Sequence, residues 1–140
     1  MAEAIAARMA AERALVDVSF SSVGTSAWND APASDGAMLV AMERGIDLSA
    51  HRSRVLSREL VEAADLVLAM SPHHHERASA LGGAGKTHLL TDFSARSADG
   101  RAVTDPFGGD LDAYRQTFEE LTEQLTRVFD RILAERGGAE

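Results

Sequence analysis

Apolar residues recur along this chain with helical spacing, most regularly near the C-terminus. One apolar stripe advances by 3, 4, 3, 4, 3 and 4 residues: Leu111, Tyr114, Phe118, Leu121, Leu125, Val128 and Ile132. That period predicts one long amphipathic helix. Asp110 precedes the stripe and is predicted as the N-cap, because its carboxylate can accept a hydrogen bond from a first-turn amide.

Shorter segments predict further helices, separated by short strands. The helices are AEAIAARMAAERAL, SDGAMLVAMERGI with Ser34 as N-cap and Gly45 past its end, SRELVEA capped by Ser57, and SPHHHERASAL with Pro72 at its first position after Ser71. The strands are VDVSFSSVGTS, which breaks at Gly24, ADLVLAM and KTHLL, whereas FSARSADGRAV is predicted as a polar loop. Helices that alternate with apolar strands predict an α/β domain with a parallel sheet.

Size and charge restrict the class of protein. A length of 140 residues suits one domain over residues 1–140 with one core. The net charge of −8 argues against nucleic acid or an anionic membrane as the main partner. No apolar run could span a bilayer, and charged residues occupy the place of a signal peptide's apolar region, so a cytoplasmic protein is expected.

The chain has no cysteine. Disulfides, thiolate nucleophiles and cysteine metal sites are therefore impossible within these residues.

The stretch VTDPFGGDLDAY contains the strongest candidate for an acid–base residue. Pro106 disfavours the helical region for Asp105, which predicts an extended backbone there. Gly108 and Gly109 permit a sharp turn. A fixed acid on such a loop suits a general acid that meets a leaving group. The alternative is a plain turn before a helix, since both dipeptides are common in turns.

Two other motifs are weaker. The HHH run at 73–75 is predicted to be a solvated helix start rather than a metal site, because adjacent helical residues point in different directions. GGAGKT resembles part of a nucleotide-binding loop. The required spacing places a glycine at position 80, which is Ala80, and Lys86 is predicted to enter a strand instead of a helix, so this interpretation is rejected. No metal or cofactor is expected.

SSVGTSAW, LSAHRSRVLSREL, ADLVLAMSPHHHER and VTDPFGGDLDAYRQTFEEL occur in that order. Together they resemble the low-molecular-weight protein tyrosine phosphatases, particularly the bacterial branch that includes protein arginine phosphatases. The resemblance covers nearly the whole chain. It implies a four-stranded parallel sheet with helices on both faces, and a phosphorylated protein as the substrate.

The resemblance also implies a mechanism and site residues. In that family a cysteine thiolate, in a loop of pattern Cys, five residues, Arg, Ser, attacks phosphorus. Asp105 matches the general acid that protonates the leaving group and later activates water. Phe107 matches an aromatic that packs on the substrate, and Trp28 matches an aromatic at the pocket rim. Ser22 and His51 match residues that orient the phosphate loop.

Each of the last three residues has a structural alternative. Trp28 could be a half-buried packing residue. His51 could make a local bond near a helix end or in a loop. Ser22 could bond its own backbone at a strand end.

The chain departs from the family at its start. MAEAIAARMA matches the family only from just after the phosphate loop, so the cysteine, the loop amides and the arginine have no counterpart. We expect an N-terminally truncated sequence whose start was assigned at an internal methionine. The missing central strand would lie between VDVSF and DLVLAM. Its absence should leave strand edges unpaired, and the chain is expected to be poorly stable and inactive as written.

Several alternatives remain open from the sequence. The substrate could carry phosphotyrosine or phosphoarginine, and Phe107 in place of a tyrosine pair leans towards phosphoarginine. Arsenate reduction on the same fold would also need a cysteine. A non-catalytic pseudophosphatase that binds a partner would need none. The sequence makes no prediction of oligomeric state.

Overall fold

The structure, a computed structural model, describes residues 1–15, 17–25, 29–95 and 101–138. The chain divides into two compact units, each built from two segments. The first contains Met1–Val55 and Asp105–Thr122, and the second contains Leu56–Thr104 and Glu123–Glu140. No helix within the described ranges is both long enough and apolar enough to cross a membrane.

The first unit contains helices α1 (Ala2–Glu12) and α2 (Asp35–Glu43) and the start of the long C-terminal helix. Ser34 Oγ accepts a hydrogen bond from the Ala37 amide at 3.4 Å, which confirms the predicted cap of α2. Gly45 follows this helix with φ +80°, a left-handed conformation that glycine adopts without strain. The predicted bounds of both helices are confirmed to within a turn.

Ion pairs join α2 to the C-terminal helix within this unit. Arg115 donates to both carboxylate oxygens of Glu43, at 2.9 and 2.7 Å, and Arg44 lies 2.8 Å from Glu119. The hydrogen bonds from Arg115 lower the pKa of Glu43 below its ordinary value. Because these groups are exposed, they fix the geometry of the two helices more than they add stability.

Gly36 of α2 lies against the ring of Tyr114. The Tyr114 hydroxyl accepts a hydrogen bond from Ser34 Oγ at 3.2 Å. A Cβ at position 36 would lie 2.6 Å from Cδ2 and 2.8 Å from Cζ of Tyr114. Although alanine favours helix by about 1 kcal/mol, we expect the overlap to dominate. Gly36→Ala should lower the free energy of unfolding by about 1–3 kcal/mol in urea denaturation.

The control for this prediction is the same substitution in a Tyr114→Leu background. There the ring is absent, so Gly36→Ala should be neutral or stabilising. An equal loss in both backgrounds would show that the ring contact is not the cause.

The second unit contains a small parallel sheet with its helices. Its elements are α3 (Arg58–Ala63), β1 (Val67–Ala69), α4 (Pro72–Ala78), a kinked turn at Ser79–Gly83, β2 (Thr87–Leu89) and α5 (Leu90–Ala95). Val67 pairs with Thr87 and Ala69 with Leu89, in parallel register. Ser57 caps α3 as predicted, and Pro72 is the first residue of α4, as predicted, after Ser71, whose side chain accepts a hydrogen bond from the His74 amide. The helices and parallel strands confirm the α/β class.

The long helix α6 (Leu111–Gly138) contributes to both units. Asp110 Oδ1 accepts a hydrogen bond from the Ala113 amide at 2.9 Å, which confirms its predicted role as N-cap. Most of the predicted stripe is buried, from Tyr114 to Val128, and Phe129 joins it at 1% exposure. The two ends differ: Leu111 is 39% exposed and Ile132 is half-buried.

Two predicted elements are wrong. Described residues 17–23 form no strand, and only Gly24 makes an isolated parallel bridge, with Val55. An alternating pattern needs a neighbouring strand to satisfy its backbone, and the only sheet among the described residues pairs β1 with β2. The predicted polar loop FSARSADGRAV begins inside α5, where Phe93 and Ser94 are buried. Residues 96–100 of that loop lie outside the described residues.

Candidate active site

The loop at 105–110 is held by hydrogen bonds of its own backbone and side chains. Asp105 Oδ1 accepts a hydrogen bond from the Phe107 amide at 3.0 Å, and the Gly109 amide donates to the Pro106 carbonyl at 2.8 Å. Gly108 has φ +83° and open space around it. The carboxylate of Asp105 is thus anchored by one oxygen while the residue stays exposed to solvent.

The same loop leads directly into α6 and presents an aromatic side chain. Phe107 is 79% exposed, more than any other large apolar side chain of the described residues. Gly109 cannot carry a side chain without strain, since a Cβ there would lie 2.9 Å from the Pro106 carbonyl oxygen. The loop is therefore a turn before a helix, which was the alternative to a catalytic loop. It also leaves the side chains of Asp105 and Phe107 exposed to solvent.

A second cluster forms around the first turn of α1. Ser22 Oγ donates a hydrogen bond to Glu3 Oε1 at 3.2 Å, and His51 Nδ1 lies 3.6 Å from Glu3 Oε2. The Glu3 and His51 side chains are 32% and 24% exposed, so both are largely shielded from water. One carboxylate thus lies beside both residues for which the family resemblance implies a positioning role.

Backbone hydrogen bonds explain why Ser22 and His51 meet. The Gly24 amide donates to the Arg54 carbonyl at 2.9 Å, and the Asp30 amide donates to the Ser53 carbonyl at 2.8 Å. These bonds hold the segment that follows Ser22 alongside the segment that follows His51.

The N-terminus of α1 is polar and has no side-chain cap. Met1 occupies the N-cap position, and its side chain accepts no hydrogen bond from the first-turn amides. Such amides, together with the helix dipole, favour an anion. Burial lowers the pKa of the Met1 α-amino group below its ordinary value of 8.0, and the nearby Glu3 carboxylate partly opposes that effect.

The structure brings only some of the predicted residues together. Ser22 and His51 share Glu3, but no hydrogen bond or ion pair recorded for the described residues links Asp105 to any of these three. Trp28 lies outside the described residues. Glu3 was missed from the sequence, although it is the acid of the MAEA stretch and its position in the first turn suits the helix dipole.

The two motifs set aside from the sequence have local partners. His75 Nε2 lies 3.0 Å from the Thr87 carbonyl oxygen, and Lys86 immediately precedes β2. No group of three or more potential metal ligands occurs in the parts of the chain that the structure describes.

Comparison with known proteins places the chain among phosphatases. A profile of the family described as low molecular weight phosphotyrosine protein phosphatase matches residues 1–137. The protein-arginine-phosphatase of Bacillus subtilis is 35% identical over 136 residues, which cover 97% of this chain and 89% of that protein. The low molecular weight protein-tyrosine-phosphatase PtpB of Staphylococcus haemolyticus is 32% identical over 122 residues, which cover 86% of this chain and 81% of that protein.

The fold is shared with solved structures of the same kind. A YwlE arginine phosphatase mutant, described with a phosphorylated active-site serine, superposes with a TM-score of 0.87 at 36% identity. The match covers 96% of this chain and 88% of that one. A sequence and fold match of this extent supports residue-by-residue comparison of the sites.

Proposed function

We propose that this chain, which belongs to the low molecular weight phosphotyrosine protein phosphatase family, provides the general-acid part of a phosphomonoester or phosphoramidate hydrolase. Proteins of this family act on phosphorylated protein side chains. In this proposal Asp105 protonates the leaving group and then activates the water that hydrolyses the phosphoenzyme.

The observation that carries the proposal is the loop at Asp105. One carboxylate oxygen is fixed by the Phe107 amide, and no hydrogen bond to the other is recorded within the described residues. That second oxygen is available to exchange a proton with a substrate. Because the group that holds Asp105 Oδ1 is a backbone amide, the position of the carboxylate does not depend on the conformation of a second side chain.

The remaining residues take supporting roles. Phe107, which is exposed beside the acid, would pack on the substrate, and Trp28 would line the pocket rim. Ser22 and His51 would position the segment before α1 through Glu3, the carboxylate they share. Glu3 is thereby directed to these two groups, which leaves the first-turn amides of α1 for a phosphoryl oxygen.

The chain contains no nucleophile for the family's chemistry. It has no cysteine, and a thiolate is the group that attacks phosphorus by the family's pattern. We infer that the 140-residue chain by itself does not complete the reaction. A test protein adds a nucleophile. A strand and a loop of the family's pattern, Cys, five residues and Arg, are joined before Met1, with the Bacillus subtilis protein-arginine-phosphatase as the source of that segment. This protein is called the loop-fused chain below.

Phosphoarginine is the substrate we favour over phosphotyrosine. The relative with 35% identity is named a protein-arginine-phosphatase, and the aromatic next to Pro106 is a single phenylalanine followed by Gly108. Since the loop also comes from an arginine phosphatase, the residue to test is Phe107. The loop-fused chain should hydrolyse a phosphoarginine peptide faster than a phosphotyrosine peptide of the same sequence.

A paired variant shows whether Phe107 contributes to that preference. Phe107→Tyr should narrow the ratio of kcat/KM between the two peptides by roughly tenfold, the effect of one altered pocket contact. Phe118→Tyr, in the core of α6, is the control for an added hydroxyl away from the loop. An unchanged ratio in Phe107→Tyr, or a preference for phosphotyrosine in the parent, would contradict this choice.

A further inference from the structure

We propose that a cleft in the second unit, remote in sequence from the Asp105 loop, binds a small monocarboxylate with a planar or apolar body. The cleft has a volume of about 490 Å³. The residues just before β1 and just before β2 line it together with the last turns of α6. This site is independent of the function proposed above.

Lys86 provides a cation whose position is fixed. Its Nζ donates to the Ala64 carbonyl at 2.6 Å and to the Glu62 carbonyl at 3.3 Å. An ammonium group has three N–H donors, so one remains after these two bonds. Both of these partners are neutral carbonyl groups, so neither bond neutralises the charge of Lys86.

Arg131 provides a second fixed cation. Its guanidinium lies 3.9 Å from the centroid of the Phe93 ring, and Nη1 donates to the Phe93 carbonyl at 3.0 Å. Nε donates to Glu135 at 2.8 Å. Nη2 makes no hydrogen bond to the described residues, so its N–H groups remain available to a ligand. Because the guanidinium is planar and its other nitrogens are bonded, these donors point in a fixed direction.

His88 completes the polar side of the cleft. Its ring lies 5.4 Å from the buried Phe93 ring, and neither ring nitrogen has a hydrogen-bond partner in the described part of the chain. Lys86 and Arg131 donate only, so a ligand must offer an acceptor. Donors held by other contacts lose little freedom on binding, which favours affinity.

The other lining residues limit the ligand's charge and shape. Asp65 and Glu135 add two carboxylates to the cleft, and Glu135 already pairs with Arg131. Asp65 repels a dianion such as phosphate more strongly than a monocarboxylate, whose single charge can lie against Lys86 and Arg131. Leu66 and Ile132, both half-buried, offer an apolar surface to the body of the ligand.

Nuclear magnetic resonance titration of the 140-residue chain with benzoate tests this site. Benzoate should shift the amide signals of residues 65–66, 85–88 and 131–135, and bind at least about tenfold more tightly than phosphate or benzylamine. Benzylamine has the same ring with the opposite charge, and phosphate has more negative charge without a ring. Shifts that lie outside the cleft, or equal affinity for benzylamine, would overturn the proposal.

Variants separate the site from general effects on folding. Arg131→Met should lower the affinity for benzoate by about tenfold. Arg127→Met is the control: it removes an exposed ion pair with Glu123 on the same helix and should leave the affinity unchanged. Asp65→Asn retains both cations and should strengthen benzoate binding roughly two- to fivefold. If Arg131→Met does not fold, Asp65→Asn decides: an unchanged or weaker affinity in that variant would overturn the proposal.

Discussion

The 140-residue chain is expected to release no phosphate from an aryl phosphate, whereas the loop-fused chain is expected to release it. The reason is chemical. The chain has no thiol, and a thiolate is the nucleophile in the family's pattern. A general acid alone contributes roughly 10²–10⁴-fold, far less than the acceleration that enzymes typically provide.

Phosphate release by the two proteins should be measured at equal concentration and mildly acidic pH. A cysteine-to-serine variant of the grafted loop is the matched control, and it should be as inactive as the 140-residue chain. Turnover by the 140-residue chain that disappears in Asp105→Asn would contradict the inference that a nucleophile is lacking. Vanadate binding without turnover by the loop-fused chain would instead favour a non-catalytic phosphate-binding module.

Asp105→Asn in the loop-fused chain should lower kcat/KM for phenyl phosphate by roughly 10²–10⁴-fold. Asparagine retains an oxygen that can accept the Phe107 amide, so the loop should keep its geometry. It cannot deliver a proton to the leaving oxygen. The loss should be much smaller for nitrophenyl phosphate, because its leaving group departs without protonation.

The ratio of the two losses in kcat/KM identifies a general acid. This parameter reports the steps up to departure of the leaving group and excludes the later hydrolysis of the phosphoenzyme, in which Asp105 also acts. Asp112→Asn is the control: this residue lies in the first turn of α6, pairs with Arg115, and does not match the family's acid. It should change neither rate more than about twofold, as expected for an exposed ion pair. Equal losses for both substrates in Asp105→Asn would assign the residue a structural role instead.

Elements encoded by local chemistry could be predicted from the sequence. The caps at Ser34, Ser57 and Asp110 each bond an amide three residues ahead, so a short window of sequence contains both partners. The α6 stripe is also local, since burial of one helix face repeats every three or four residues. Phe129 escaped this prediction because it lies beside the stripe, one residue after Val128, and its 1% exposure shows that the buried face is wider than the stripe.

Elements that depend on distant partners could not be predicted in the same way. The alternation in VDVSF indicates a strand, but pairing decides whether one forms, and described residues 17–23 make none. Helix α5 was missed because it follows β2 without an intervening cap residue. The position of α5 depends on contacts with distant residues, such as the hydrogen bond from Arg131 to the carbonyl of Phe93, 38 residues away in the chain.

The candidate site shows the same limit. The Asp105 loop is contiguous, and its turn residues predict the geometry found around Gly108. The roles of Ser22 and His51 came from the family resemblance, and no spacing in the sequence connects either of them to Glu3. That carboxylate is 19 residues from Ser22 in the chain, and only folding brings them together.

The central claim is that this chain holds the family's acid but not its phosphate-binding group. Calorimetric titration of vanadate into the 140-residue chain and into the loop-fused chain tests it most directly. The loop-fused chain should bind vanadate at least about a hundredfold more tightly, because its loop amides and arginine add several charge-assisted hydrogen bonds to those of the α1 N-terminus. Equal affinities would show that the oxyanion site does not depend on the loop, and would contradict the claim.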